Sequence, residues 1–179
     1  AARATGVSPE DVLVASTGVI GVPLPMKRIE AAVNQIALSR EGGHELARAI
    51  MTTDTFVKEI TAKFNIDNRI VTICGIAKGA GMIAPNTATM LCFIFTDAHV
   101  SQKALNKALD IAVKNSFNCI NVDGCMSTND SVIMLANGAK ENILIDINRN
   151  FNLFVNALNM VCLELAKLTP ETMAFLRER

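Results

Sequence analysis

Tryptophan and tyrosine are absent from this sequence, and histidine occurs only at His44 and His99. Without Trp or Tyr the chain lacks the usual aromatic platform on which single-stranded nucleic acid stacks. The two histidines lie far apart, neither with a cysteine at ligand spacing, so no zinc pattern is present and no metal site is expected. The five cysteines, Cys74, Cys92, Cys119, Cys125 and Cys162, form an odd set with no CxxC pair. Three of them lie within apolar runs, which fits a reducing compartment. Charge of one sign is also lacking: seventeen basic and seventeen acidic residues cancel, and no like-charge block offers a nucleic-acid footprint or a patch for anionic membrane. No apolar run approaches the roughly 20 residues of a spanning helix, because Thr96-Asp97, Asp146 and Asn148 interrupt the most hydrophobic segments. Small-molecule chemistry is the function class these absences favour.

What is present is enough apolar material, half of 179 residues, to bury a core in one compact domain or two small ones. The start, Ala1 to Gly6, has neither an initiator methionine nor a signal-peptide core, and the expectation is a piece of a longer protein. Ser8-Pro9-Glu10-Asp11 predicts a helical turn with proline at its first position, and Val12 to Ala15 then reads as a short buried strand. The run Ser16 to Pro23 contains two glycines and can present backbone N–H groups to a ligand. From Pro25 to Ser39 the apolar residues recur at helical spacing. Gly42-Gly43 is expected to break that helix, and His44 to Met51 to form another, closed by the hydroxyl cluster Thr52-Thr53-Asp54-Thr55.

Phe56 to Phe64 and Ile70 to Ile76 are rich in β-branched and aromatic residues on either side of a turn-like Asn65-Ile66-Asp67-Asn68, which predicts a hairpin. Its second strand runs into the stretch around which the chain is organised. Lys78 to Leu91 carries glycine, proline and an Asn-Thr-Ala-Thr step, then enters a strand over Thr89 to Phe95. A hydroxyl therefore sits at a loop-to-strand junction, with Lys78 eleven residues upstream, an arrangement that nucleophilic catalysis can use. Ser101 is placed to cap a helix that ends near Asn115. Strands are expected over Phe117 to Val122 and Val132 to Leu135, and a long helix from Arg149 that Leu168-Thr169-Pro170-Glu171 stops, with a short helix after it. These elements predict an α/β (α+β) domain: a layered, mixed sheet with flanking amphipathic helices. The glycines fit neither dinucleotide nor Walker-type phosphate binding, because they lead to a strand and Lys78 precedes them.

Four motifs occur in order: Ala15-Ser16-Thr17-Gly18-Val19-Ile20-Gly21 with Pro23-Leu24-Pro25-Met26; Met51-Thr52-Thr53-Asp54-Thr55; Lys78 to Leu91 continuing to Phe95-Thr96-Asp97-Ala98; and Ser116-Phe117-Asn118 with Val122-Asp123-Gly124 and Ser127-Thr128-Asn129-Asp130. In these the chain resembles the bifunctional ornithine acetyltransferases, also called glutamate N-acetyltransferases, whose architecture is of the N-terminal-nucleophile-like kind. The resemblance implies a precursor that cuts itself between Ala88 and Thr89, giving an α portion (1–88) and a β portion (89–179) that form one catalytic core. Thr89 becomes the nucleophile, with its own α-amine as base. Thr17 and Gly18 would hold the oxyanion, and Thr52, Thr53 and Lys78, with Thr89, would contact substrate. The implied reaction moves an acetyl group from N-acetylornithine to glutamate in a ping-pong cycle, with no bound cofactor and acetyl-coenzyme A as an alternative acetyl donor. An α2β2 heterotetramer in the cytoplasm, or in the mitochondrial matrix of a eukaryote, is implied too.

The residues alone leave plainer readings open. Thr89 could be an ordinary β-branched strand residue, Thr17 a turn hydroxyl, the Thr52 cluster a helix terminator and Lys78 a solvated loop charge. His44 reads as a surface residue, His99 as part of the strand-to-helix corner, and Asp123 and Asp130 as turn-formers. An amide hydrolase or aminopeptidase of related architecture, and an inactive remnant or anion-binding module, are the competing functions. The sequence departs from the family at Thr87, where methionine is usual, and at Cys125-Met126. The family's later acidic, glycine-containing segment, which helps hold substrate, does not follow Glu171.

Overall fold

The computed structural model describes residues 1–19, 21–37, 39–79, 90–119 and 129–177, with side chains as far as Thr169. Short helices come first: α1 (Ala2–Thr5), a 3-10 turn at Pro9–Asp11, α2 (Met26–Val33) and α3 (Gly42–Ala49). The sheet follows as β1 (Lys58–Ile66), β2 (Arg69–Lys78) and β3 (Leu91–Thr96), then α4 (Gln102–Lys114), β4 (Ser131–Ala136) and α5 (Phe151–Arg177). The strands lie in the order β1-β2-β3-β4. β1, β2 and β3 pair antiparallel, and β3 pairs parallel with β4. The sheet is therefore mixed, as expected, and α4 supplies the crossover a parallel pair requires.

The β1–β2 hairpin turns on two residues, Asp67 and Asn68, both at positive φ (47° and 66°). Two residues in the left-handed region make the tight turn whose twist suits antiparallel strands, and Asp and Asn tolerate that region better than other side chains with a Cβ. In β1 every second residue, from Lys58 through Ile60, Ala62 and Phe64 to Ile66, turns inward to some degree while Glu59, Thr61, Lys63 and Asn65 stay exposed or nearly so. On this inner face lies α5, whose Phe154, Leu158, Val161 and Leu165 are fully buried. The Phe64 and Phe154 rings meet in a tilted pair, with centroids 6.2 Å apart. Gly75 lets the helix come this close, because a Cβ there would lie 2.7 Å from Leu165 Cδ1 and 3.1 Å from Val161 Cγ1. Helix α4 packs beside α5 through Ala104, Leu105, Ala108 and Ala112. Its start is capped as predicted: the Ser101 hydroxyl accepts the Ala104 N–H and donates to Asp146.

Several expectations are corrected. Val12 to Ala15 forms no strand; it is irregular, with Leu13 and Val14 exposed, so apolar content without a ladder partner did not suffice. The helix expected as far as Ser39 ends at Val33, so the break comes earlier than Gly42-Gly43, which are the first two residues of α3. Phe117–Cys119 is a 3-10 turn directly after α4, not the start of a strand; residues 120–128 lie outside the described residues. Leu168 to Glu171 does not stop the last helix. α5 continues through Pro170 to Arg177, although proline has no N–H to donate to the Ala166 carbonyl. Over Phe151–Thr169 this helix is apolar and long enough to cross a membrane, yet its buried face belongs to the core just described.

Candidate functional site

The side chains of β2 alternate across the sheet, so that Val71, Ile73, Gly75 and Ala77 share one face with α5 and Lys78 falls on the other. Lys78 is the last residue of the strand, and it is fully buried. An ammonium so placed requires hydrogen-bond partners. It finds two: Nζ donates to Thr52 Oγ1 at 3.3 Å and to Thr17 Oγ1 at 3.5 Å, the outer limit of such a bond. Thr52 follows α3, and Thr17 lies in the irregular run before α2. Residues 61 and 26 positions from Lys78 thus converge on one amine. Because the ammonium can only donate, each threonine hydroxyl keeps its own proton for another acceptor.

Beside this cluster lies a second buried charge group. Asp54 is 9% exposed, and its Oδ1 accepts from the Lys58 ammonium and, at 2.8 Å, from the Gly79 N–H. Its Oδ2 accepts the Thr52 N–H at 3.2 Å. Lys58 itself is fully buried, with Nζ 5.1 Å from the centre of the Phe56 ring. One carboxylate therefore ties together the segment after α3, the start of β1 and the end of β2. Burial pushes the Asp54 carboxyl up, but the hydrogen bonds from Lys58, Gly79 and Thr52, with the Lys58 charge, outweigh it and hold its pKa below the ordinary value. Lys78 moves the other way from its norm. Burial, the largest influence, lowers its pKa, with Lys58 helping and the charges of Asp54 and Asp130 opposing. A buried ammonium beside two hydroxyls can hold an anionic group.

Of the residues expected to form the site, the structure brings Thr17, Thr52 and Lys78 together. Lys78 is not a solvated loop charge. Thr53 is exposed beside Thr52, and Gly18, also exposed, follows Thr17; a Cβ on it would lie 3.2 Å from Leu24 Cδ2. Ala88 and Thr89 lie outside the described residues, as does Asp123. Asp130 is more than a turn-former, since its Oδ1 accepts the Met90 N–H at 2.8 Å. His44 is a surface residue paired with Glu59 at 2.9 Å. His99 holds the corner before α4 through its backbone N–H to Asn142. Among the described residues no cluster of three or more His, Cys, Asp or Glu could hold a metal ion.

Sequence reasoning passed over Asp54 and Lys58, treating the first as one of a helix-closing cluster. A signal was available in the alternation of β1. Counting back from Ile66 through Phe64, Ala62 and Ile60 puts Lys58 on the inner face, and a lysine on an inner face calls for a carboxylate nearby.

Comparison with known proteins places the chain in a family. The model of the ArgJ family matches residues 1–171. The arginine biosynthesis bifunctional protein ArgJ of Dehalococcoides mccartyi is 54% identical over 167 residues, covering 93% of this chain and 41% of the relative. That of Caldanaerobacter subterraneus subsp. tengcongensis is 51% identical over 165 residues, covering 90% of this chain and 41% of the relative. The chain thus spans about two fifths of the length of these curated relatives. The crystal structure of the arginine biosynthesis bifunctional protein ArgJ from Bacillus halodurans aligns with a TM-score of 0.41 at 38% identity, over 42% of this chain and 36% of that one. With a family match across nearly its whole length and relatives at half identity, the chain belongs to the ArgJ family.

Proposed function

We propose that the protein transfers an acetyl group from N-acetylornithine to glutamate through an acetyl-threonine intermediate on Thr89, formed after the chain cuts itself between Ala88 and Thr89. The observation that carries this reading is the convergence of Thr17, Thr52 and Lys78, from three separate motifs, at the strand end from which the chain leads to Thr89. Membership of the family and the relatives' role in arginine biosynthesis support it.

The chemistry follows from the residue types. A threonine hydroxyl is a weak nucleophile, but cleavage at 88–89 frees an α-amine with a pKa of about 8, which can take the hydroxyl proton as attack proceeds. Thr89 Oγ bonds to the acetyl carbon, and the carbonyl π electrons move to oxygen. Thr17, whose hydroxyl proton is free because Lys78 donates to its oxygen, and the backbone at Gly18 stabilise that oxyanion. Such a donor is worth about 3 kcal/mol. Collapse breaks the C–N bond, and ornithine leaves with the proton. Glutamate's amine then attacks the ester carbonyl, N-acetylglutamate departs, and the Thr89 hydroxyl regains its proton. Lys78, with Thr52 and Thr53, holds the substrate's charged group. A carboxylate is the natural partner of a buried ammonium. On the same reading acetyl-coenzyme A is an alternative donor, the 1–88 and 89–179 portions pair in an α2β2 assembly, and the protein works in the cytoplasm, or in the mitochondrial matrix of a eukaryote.

Intact-mass spectrometry tests the central step. Purified protein should appear as two pieces, one ending at Ala88 and one beginning at Thr89, and N-acetylornithine should add one acetyl group to the second. The Thr89→Ala variant should remain a single chain. Cleavage that persists in that variant would remove Thr89 as nucleophile.

A further inference from the structure

The sheet pairs Lys78 with Leu91, and Leu91 with Ser131, so Gly79 and Met90 are the next two residues beyond the paired ends of β2 and β3. They touch. A Cβ on Gly79, whose φ is +133°, would lie 3.3 Å from the Met90 Cα and 3.5 Å from its Cβ. A glycine is therefore required here twice over, by its backbone angle and by the close approach of Met90.

Each of these residues has its amide held by a carboxylate from elsewhere in the chain. The Gly79 N–H donates to Asp54 Oδ1 at 2.8 Å, and the Met90 N–H donates to Asp130 Oδ1 at 2.8 Å. The Met90 carbonyl accepts the Ser131 N–H at 3.0 Å, so both polar groups of its backbone are fixed to the start of β4. Asp54 is in turn fixed by Lys58 and Thr52. Neither amide belongs to a ladder bond, and a charged acceptor makes a stronger bond than a carbonyl.

The geometry points to Asp54 and Asp130 as a pair of positioning residues: their carboxylates pin Gly79 and Met90 side by side next to Lys78, and so set the rate of the chemistry at Thr89, the residue before Met90 in the chain. The inference rests on the reading of Thr89 as the self-cleaving nucleophile. Met90 follows Thr89 directly in the sequence, so the reaction at Thr89 is expected to depend on that amide being held. A displacement of about 1 Å can cost on the order of a hundredfold in rate when groups must be aligned for attack. The charges of both carboxylates also favour the ammonium form of Lys78 against its burial, which links the clamp to the substrate-holding amine.

The test uses the full-length protein, with cleavage followed by intact mass and acetyl transfer from N-acetylornithine to glutamate followed by steady-state kinetics. Asp130→Ala should cut at 88–89, and turn over, at least about tenfold more slowly, with KM changed by less than about twofold. Asp130→Asn retains an oxygen for the Met90 N–H and should recover both rates to within about threefold of wild type. Because Asp54→Ala alone strands Lys58, the second arm of the clamp is tested with Asp54→Asn in a Lys58→Met background against Lys58→Met with Asp54→Ala. The asparagine should cut faster. A simple loss of packing would lower the thermal midpoint while leaving the rates of the folded fraction unchanged. Asp130→Ala cutting and turning over like wild type, or Asp130→Asn doing no better than the alanine, overturns the clamp. A wild-type protein with the 88–89 bond intact, or an active Thr89→Ala variant, defeats the nucleophile reading instead.

Discussion

Replacing Asp54 by alanine is expected to be among the most damaging single changes to the fold, and its cost can be worked from the contacts. The substitution leaves the Lys58 ammonium fully buried without its carboxylate. Removing one partner of a buried pair costs about 3–5 kcal/mol. The buried Gly79 amide also loses its acceptor, at a further penalty of about 1 kcal/mol or more. The Thr52 amide, on an exposed residue, can turn to water. The sum of about 4–6 kcal/mol is comparable with the whole stability of many domains. Lys58→Met should cost less, about 1–3 kcal/mol, since Asp54 keeps two amide donors. The double variant Asp54→Ala/Lys58→Met should be more stable than Asp54→Ala alone, with a coupling energy of about 2–4 kcal/mol. Urea unfolding followed by circular dichroism measures each corner of the cycle. With a slope of about 2 kcal/mol/M the single Asp54→Ala change should lower the midpoint by about 2–3 M.

The pH dependence provides an independent arm. The Asp54 pKa is depressed in the folded state from 3.8, so the unfolded chain takes up the proton first as pH falls. The stability this carboxylate contributes is complete above pH 3.8 and is lost as pH falls through its lower folded value. Wild type should therefore lose more stability than the double variant on going from about pH 5 to about pH 2. An Asp54→Ala cost under about 1 kcal/mol, or a double variant no more stable than Asp54→Ala, would show that the pair is not the buried charge network described.

Gly75→Ala drives a methyl group into Leu165 and Val161, both fully buried. Overpacking of about 1–3 kcal/mol should exceed the 0.5–1 kcal/mol or so by which alanine is preferred to glycine in a strand, and calorimetry should show a midpoint lowered by about 2–6 °C. Ser101→Ala removes the cap of α4 and the donor to Asp146, and should cost about 1 kcal/mol by urea unfolding, with Ser101→Thr recovering most of it. Cysteine alkylation under native conditions should modify the exposed Cys119 and spare Cys92 and Cys162. Burial pushes the Cys162 thiol up to about 12, with Ser116 opposing, and raises Cys92 well above its norm. Rapid native labelling of Cys92 would contradict its full burial in the core.

The elements most legible in the sequence were those whose reasons are local. The β1–β2 hairpin announced itself through two β-rich runs about the turn-like Asn65-Ile66-Asp67-Asn68, and α4 through its Ser101 cap and three-or-four-residue apolar spacing. The four motifs point to the family by themselves, because they are strings of residues. Where sequence reasoning failed, local character was outvoted by position. Val12 to Ala15 has strand composition but no neighbouring strand to pair with. Pro170 interrupts one hydrogen bond of α5, yet the helix runs on past it, since a single lost bond does not undo the turns before and after. Thr17, Thr52 and Lys78 were each named from motifs, but nothing in the spacing of residues 17, 52 and 78 says that they meet. Asp54 and Lys58 went unrecognised for the same reason, although the inward register of β1 pointed to the lysine.

The sequence by itself determined the residue chemistry, the local elements and the family, because capping, turn geometry and hydrophobic periodicity act over a few residues and motifs are strings. Only the tertiary structure decided that Lys78 is a buried amine between two hydroxyls, that Asp54 binds three chain segments, and that Gly79 and Met90 lie against each other with a carboxylate on each amide. Those facts depend on which strands pair, in what register and on which face, and burial turns them from proximity into energy by removing the water that would otherwise satisfy every charge.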